Sequence, residues 1–241
     1  MPFTYTWASA ITLVSKMVKG IPTSTIDAQV CDMVSGEMYG YFPWSWTVTS
    51  GTLCTLTTGN QDFSPAANIY RLLRARMVCT SLTPDSYNEL QVRQTLPPDL
   101  TPCSYTNIGC LSYEEGIGLV RLQQAVQIPT GTTLTIQGDW QTNPTKITAT
   151  SQGLWFPDEY LSVACEGLLY WYYRLADDPR AGTKSASTPG NVASGTGQYG
   201  AFMAALHEMA AKEDYLAVMC MMPDDPIGVG RSTGSINLWG Q

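Results

Sequence analysis

The sequence is short of charge. Only 14% of its 241 residues are Asp, Glu, Lys or Arg, against about 25% in an ordinary soluble domain. Positive charge is the scarcer sign, with 13 Lys and Arg against 20 Asp and Glu, a net charge of −7 and a pI near 4.6. Such a balance argues against a protein that grips nucleic-acid phosphates, which needs a basic face. It allows a surface past which nucleic acid slides without sticking. Histidine is represented by His207 alone, and the seven cysteines (Cys31, Cys54, Cys79, Cys103, Cys110, Cys165 and Cys220) include no C-x-x-C pair. A zinc site of matched spacing is therefore not suggested, and an odd, scattered cysteine count does not describe a disulfide framework. There is no N-x-S/T sequon and no apolar run of membrane-spanning length. Lys16 and Lys19 follow the first apolar residues instead of preceding them, so residues 1–20 do not read as a signal peptide. These absences point to a chain kept in a reducing compartment, its cysteines serving as small buried apolar residues.

What is present is a chain with enough apolar content, 44%, to bury a full core. Trp7, Ala10, Ile11, Val14, Met17 and Val18 recur at helical spacing until Gly20 and Pro22. Thr23, Ser24 and Thr25 offer N-caps for a second helix with Asp27 in its first turn, and Ile26, Val30, Met33, Val34 and Tyr41 share its face before Pro43. From Trp44 the composition turns to β-branched residues. Trp46–Thr49, a turn at Ser50-Gly51, and Leu53–Leu56 predict a hairpin; Ile69–Val78, Gly118–Gln123 and Leu134–Trp140 predict further strands. Prolines at 84, 97, 98, 102 and 129 cut this stretch into short pieces, with weak helical signal only near Tyr87–Gln91. Helix returns at Pro157 with Asp158 and Glu159, along a stripe of Tyr160, Leu161, Ala164, Leu168, Trp171 and Leu175. Residues 180–197 form a Gly/Ser/Thr/Ala-rich linker, and a last helix begins near Gln198 with Tyr199, Phe202, Met203, Leu206, Met209, Ala210, Leu216 and Ala217.

Each helix exposes an apolar stripe that only the other helices match. The expected fold is α+β: a helical bundle built from an N-terminal hairpin (1–44) and C-terminal helices (155–221), with a small β domain (45–154) inserted and an extended tail (222–241). Ile227, Val229, Ile236, Leu238 and Trp239 are spaced through that tail. Solvated tails avoid such residues, so these five are the candidate partner-binding residues, with Trp239 as anchor.

Catalytic signals are weak. Gly230-Arg231-Ser232-Thr233-Gly234 spells G-x-S-x-G, but the lone histidine precedes it and no strand leads into it. The same stretch lacks the lysine of a phosphate loop. Glu114-Glu115 and Asp224-Asp225 read as solvated acids. Two aromatic groups, from Tyr39 to Trp46 and from Trp171 to Tyr173, flank helical stripes and suit core packing or a subunit seam better than a ligand platform. No catalytic, cofactor-binding or metal-binding residue is assigned.

Tyr41-Phe42-Pro43-Trp44-Ser45-Trp46 after a helical hairpin, Thr47–Leu53 around a glycine, a strand pair with a proline turn over Leu119–Ile136, the helix start Phe156-Pro157-Asp158-Glu159-Tyr160, and a Leu/Tyr-rich helix closing on Asp177-Asp178 follow in a telling order. Over about residues 7 to 178 this series resembles the head-to-tail connector adaptors of tailed bacteriophages, including podovirus tail-tube (nozzle-type) adaptors. The resemblance implies a non-enzymatic virion protein made in the host cytoplasm and placed at the neck between head and tail. It implies a homo-oligomeric ring, commonly dodecameric, that binds the portal ring and a tail-tube or nozzle protein. Genomic DNA would pass through its channel without sequence-specific binding. Neither a cofactor nor a membrane is implied. Low charge suits large buried subunit seams, and net acidity suits a channel that must not hold DNA. The long linker and the final 20 or so residues depart from the family pattern and leave the subclass open. The alternative from a different class is a virion β-domain binding module, a receptor or glycan binder using the aromatic groups.

Overall fold

Four α-helices and nine β-strands make up the computed structural model, which describes residues 4–18, 25–66, 68–79, 86–183 and 195–220. They divide into two units: Thr47–Asn143, and the described residues up to Trp46 together with those from Pro144 onward.

The second of these units is helical. Helix α1 (Trp7–Met17) starts with a reciprocal cap in which the Ser9 amide donates to Thr6 Oγ1 and the Thr6 amide to Ser9 Oγ, both at 3.3 Å. Trp7, Ala10, Ile11 and Val14 are its buried face, while Met17 is 52% exposed. Helix α2 (Ala28–Tyr41) is capped by Asp27, whose Oδ1 accepts from the Val30 amide at 3.0 Å. The cap therefore falls later than the expected Thr23–Thr25. A carboxylate at the N-cap takes an orphan amide directly, which a first-turn position does not offer. A 3₁₀ turn over Asp158–Tyr160 leads into α3 (Leu161–Leu175), and α4 (Gly197–Cys220) follows the linker. Helix α3 is buried on most of its circumference, from Val163 to Tyr173, but Leu175 is 57% exposed. Val30 and Val34 of α2 belong to the same buried cluster as Leu168 of α3 and Leu206 of α4. The chain before α1 is fastened by the Asp158 carboxylate, which accepts from the amides of Thr4 (2.9 Å) and Tyr5 (3.2 Å).

The other unit is dominated by one curled seven-stranded sheet. Its strands are β1 (Val48–Thr55), β2 (Asp62–Phe63), β3 (Ile69–Cys79), β4 (Ser86–Arg93), β6 (Cys110–Glu114), β7 (Leu119–Leu122) and β9 (Leu134–Thr142), in the spatial order β1-β9-β3-β4-β6-β7-β2. Short β5 (Pro102–Ser104) and β8 (Ala125–Gln127) pair separately and in parallel. Register shifts in the β1–β9 pair and twice in the β3–β9 pair fit the curl, since bulges bend a strand and increase its twist. Leu53, Leu72, Ala75, Met77, Leu111, Val120, Ile136 and Trp140 are among the residues of its core. Gly138 of β9 is required by close approach, since a Cβ there would stand 2.3 Å from the Arg74 carbonyl oxygen. The proline-rich loop is fastened by the buried Gln61 side chain, whose Nε2 donates to the carbonyls of Leu122 (2.8 Å) and Pro97 (3.0 Å) while its Oε1 accepts from the Asp99 amide (2.9 Å).

This architecture corrects the expected fold class. The chain is a mixed α+β protein led by the seven-stranded sheet, not a helical bundle carrying a small β insertion. Three local readings account for the underestimate. Ser50-Gly51 is no hairpin turn, because β1 runs straight through it against β9, Gly51 facing Gly138. The supposed weak helix at Tyr87–Gln91 is β4, where alternating side chains pair with β3. Strand β6 carries Ser, Tyr and Glu among its five residues and shows little apolar alternation to the eye.

Candidate interaction surfaces

Strand β1 ends the sheet on one side. Thr49, Ser50, Gly51 and Thr52 are all exposed, and among the described residues the first cross-link on their open side is farther along, where Leu53 O accepts from the Ala66 amide at 2.7 Å. No charged residue occurs from Met38 to Gln61. Among the described residues the edge is therefore a polar, uncharged ribbon of backbone on which a further strand could add. The other end of the sheet is the two-residue β2, where Arg121 of β7 donates to Asp62 of β2 (2.7 Å) and to Glu114 of β6 (2.7 Å).

A second opening lies within the sheet. Strands β3 and β4 pair from Cys79/Ser86 to Ala75/Leu90 and then part, β4 turning to β6 for Gln91–Arg93. The fork holds a groove of ≈ 430 Å³ lined in part by Arg71, Leu72, Val92, Arg93, Tyr113 and Glu115. The Tyr113 hydroxyl spans it by donating to the Ile69 carbonyl at 2.9 Å. The arginines of the outer face have partners: Arg93 donates to Gln91 (3.1 Å), Arg76 donates to Gln137 (3.0 Å) and stands 5.8 Å over the Tyr87 ring, and Arg74 approaches Asp139 at 4.0 Å. The arginines are thus interleaved with acids and amides, which is a poor arrangement for holding phosphate.

The helical unit contains a buried carboxylate. Glu213 of α4 is 3% exposed; its Oε2 accepts from Ser45 Oγ at 2.7 Å and its Oε1 from the Tyr160 hydroxyl at 3.4 Å. The Tyr160 ring stacks on Trp46 (5.8 Å), which stacks on Trp44 (5.7 Å). Burial first, and then the negative charge of Glu213, push the Tyr160 hydroxyl up to about 12. A hydroxyl that stays protonated next to a carboxylate is a hydrogen-bond donor, and the trio ties α4 to the segments holding Ser45 and Tyr160. Burial likewise pushes the thiols of Cys31, Cys54 and Cys165 up to about 12, leaving them inert packing groups.

Of the residues singled out in the sequence, Ile227, Val229, Ile236, Leu238 and Trp239 lie outside the described residues, as do Gly230–Gly234, Asp224-Asp225 and most of the linker. His207 sits partly buried on α4. The aromatic groups are engaged with one another, Trp44 fully buried, Tyr39 edge-on to Trp155 at 5.0 Å and Tyr170 against Tyr199 at 5.1 Å. Those rings lie in the helical core or pack against it. Glu114 is paired with Arg121 and not merely solvated. Among the described residues no group of three or more His, Cys, Asp and Glu side chains is placed to hold a metal ion, and no helix is long and apolar enough to cross a membrane. Glu213 escaped the sequence reading, although it continues the series Leu206, Met209, Ala210 at helical spacing and so falls on the buried stripe. The fork had no sequence signal, because it depends on β4 changing partners.

No protein-family model matches the chain. No curated protein matches it.

Proposed function

We propose that this chain is a structural protein of a virion, a ring-forming connector adaptor that joins the portal to the tail and encloses the path of the DNA. The observation that carries this reading is the bare sheet edge at β1. Natural proteins guard exposed edges with charge, proline or cover, yet Thr49–Thr52 are exposed within a stretch of sequence without a charged residue. Burial against another copy removes the need for such a guard. The sheet ends in two unlike edges, the eight-residue β1 and the two-residue β2. Unlike surfaces are what a head-to-tail contact joins, and such contacts close into rings when their rotation closes. The order of elements over residues 7 to 178 is the source of the more specific adaptor reading, including the portal and tail proteins as partners and a ring of dodecameric size. The acidic balance and the neutralised arginines fit a wall that lets DNA move. The glycan-binder reading finds less support, because the aromatic groups it would use are packed into the helical core. Mass spectrometry of purified virions from cells that produce this chain is the test. The reading expects the chain in the particle in multiple copies, and its absence from the particle overturns it.

A further inference from the structure

The exposed edge of β1 has two unlike sides. Across the β1–β9 pair Thr49 stands opposite Trp140, and Gly51 stands opposite Gly138. Directly opposed residues of antiparallel strands share a face, so Thr49 and Gly51 lie on the side of Trp140, a member of the sheet's buried cluster. Ser50 and Thr52 alternate to the other side. The Trp140 ring runs close under the edge, since a Cβ at Gly51 would stand 3.3 Å from its Cη2. A strand glycine lets another backbone approach closely, and an apolar side chain on an added strand would lie beside Gly51, on the ring's side. The open length is Thr49–Thr52, because the Leu53 carbonyl already accepts from the Ala66 amide. It suits a short uncharged segment whose apolar side chains alternate with polar ones.

The chain contains such a segment beyond the described residues: Ser235-Ile236-Asn237-Leu238-Trp239. In an extended conformation Ile236 and Leu238 fall on one side, and Ser235, Asn237 and Trp239 on the other. No charged residue occurs from Ser232 to Gln241, nor from Met38 to Gln61, so pairing the two stretches desolvates no charged side chain of either. Pro223-Asp224-Asp225-Pro226, by contrast, holds two acids and two prolines, which suit strand addition poorly. Residues 221–234, if extended, span about 45 Å, a length that can carry the segment to a neighbouring copy. We propose that the β1 edge takes Ser235–Trp239 of a second copy as an added strand. Ile236 and Leu238 then lie with Gly51 on the Trp140 side, and Ser235 and Asn237 lie with Ser50 and Thr52. The inference rests on the assembly reading in that the neighbouring copy supplies the strand.

The experiment places a photo-cross-linking residue on the polar side of the edge in the full chain, Thr52→p-benzoylphenylalanine, mixes isotopically light and heavy copies, and maps the cross-links by mass spectrometry. The expected cross-links join light to heavy copies and fall on residues 235–239. Their yield falls about tenfold in I236K/L238K and by less than about twofold in S235K/N237K, because only the first pair faces the Trp140 side. Both pairs of substitutions lie outside β1 and leave the edge itself untouched. Ser50→p-benzoylphenylalanine repeats the measurement if the residue at position 52 disturbs folding or pairing. Cross-links confined to one copy, cross-links to β1 or elsewhere on the other copy, none from either position, or equal yields from the two lysine pairs overturn the proposal. A virion ring whose tails cross-link elsewhere would sink this inference and spare the adaptor reading. Cross-links from β1 to residues 235–239 in a chain absent from virions would do the reverse.

Discussion

Gly167 of α3 lies so close to Val34 of α2 that a Cβ at position 167 would stand 2.6 Å from Val34 Cγ1, and 2.9 Å from the Phe202 ring of α4. Three helices meet at a residue that has no side chain. Gly167→Ala improves intrinsic helix propensity by about 1 kcal/mol, yet it forces two buried neighbours to move. Overpacking of this kind costs about 1–3 kcal/mol, so the net expectation is a loss of stability. Denaturant unfolding of the variant beside the natural chain checks it, and an unchanged or raised midpoint would count against the close packing described.

Tyr160 gives a pH test of the buried trio. Its hydroxyl is held near 12 in the folded protein, by burial first and then by Glu213, against 10.0 for a free tyrosine. The folded state thus keeps a proton that the unfolded state releases earlier. The stability linked to this group is fully present below pH 10 and is lost as pH rises through about 12. A difference titration of tyrosinate absorbance between the natural chain and Tyr160→Phe should show the missing step well above pH 10. Glu213→Gln should bring that step down only part of the way, because burial remains. A step at 10 in the folded protein would show that the hydroxyl is not buried against Glu213.

The helices were the most legible part of the sequence. Spacing alone located the buried faces Trp7–Val14 and Phe202–Ala210, because one side of each helix meets the core and the other meets water. Where burial covers most of the circumference, as on α3, no single stripe exists, and Leu175 was assigned inward although it is exposed. The sheet was legible only where strands are apolar, as in Ile69–Val78 and Leu134–Trp140. Strand β4 carries Tyr, Asn, Glu, Gln and Arg on eight residues, and its place is set by pairing with partners distant in sequence. The groove and the bare edge are products of that pairing, so neither can be seen before the strand order is known.

The bare edge itself can be tested by guarding it. Thr52→Lys puts a cation on an exposed position of β1, opposite Gln137 of β9. Exposed substitutions of this type change folding stability by about 0.5 kcal/mol or less, whereas a charge on an edge obstructs strand addition. The variant is expected to keep the natural circular dichroism and unfolding midpoint while losing self-association, read by sedimentation velocity across a concentration series. Equal self-association by variant and natural chain would remove the edge from the seam.

The most direct measurement of the account is a cryo-electron microscopy reconstruction of the neck of phage particles purified from cells that produce this chain. The account predicts a closed ring of copies between portal and tail, adjacent copies in contact along β1, with the DNA path through the centre. A neck built without this chain, or copies found singly on a fibre or spike, would contradict it.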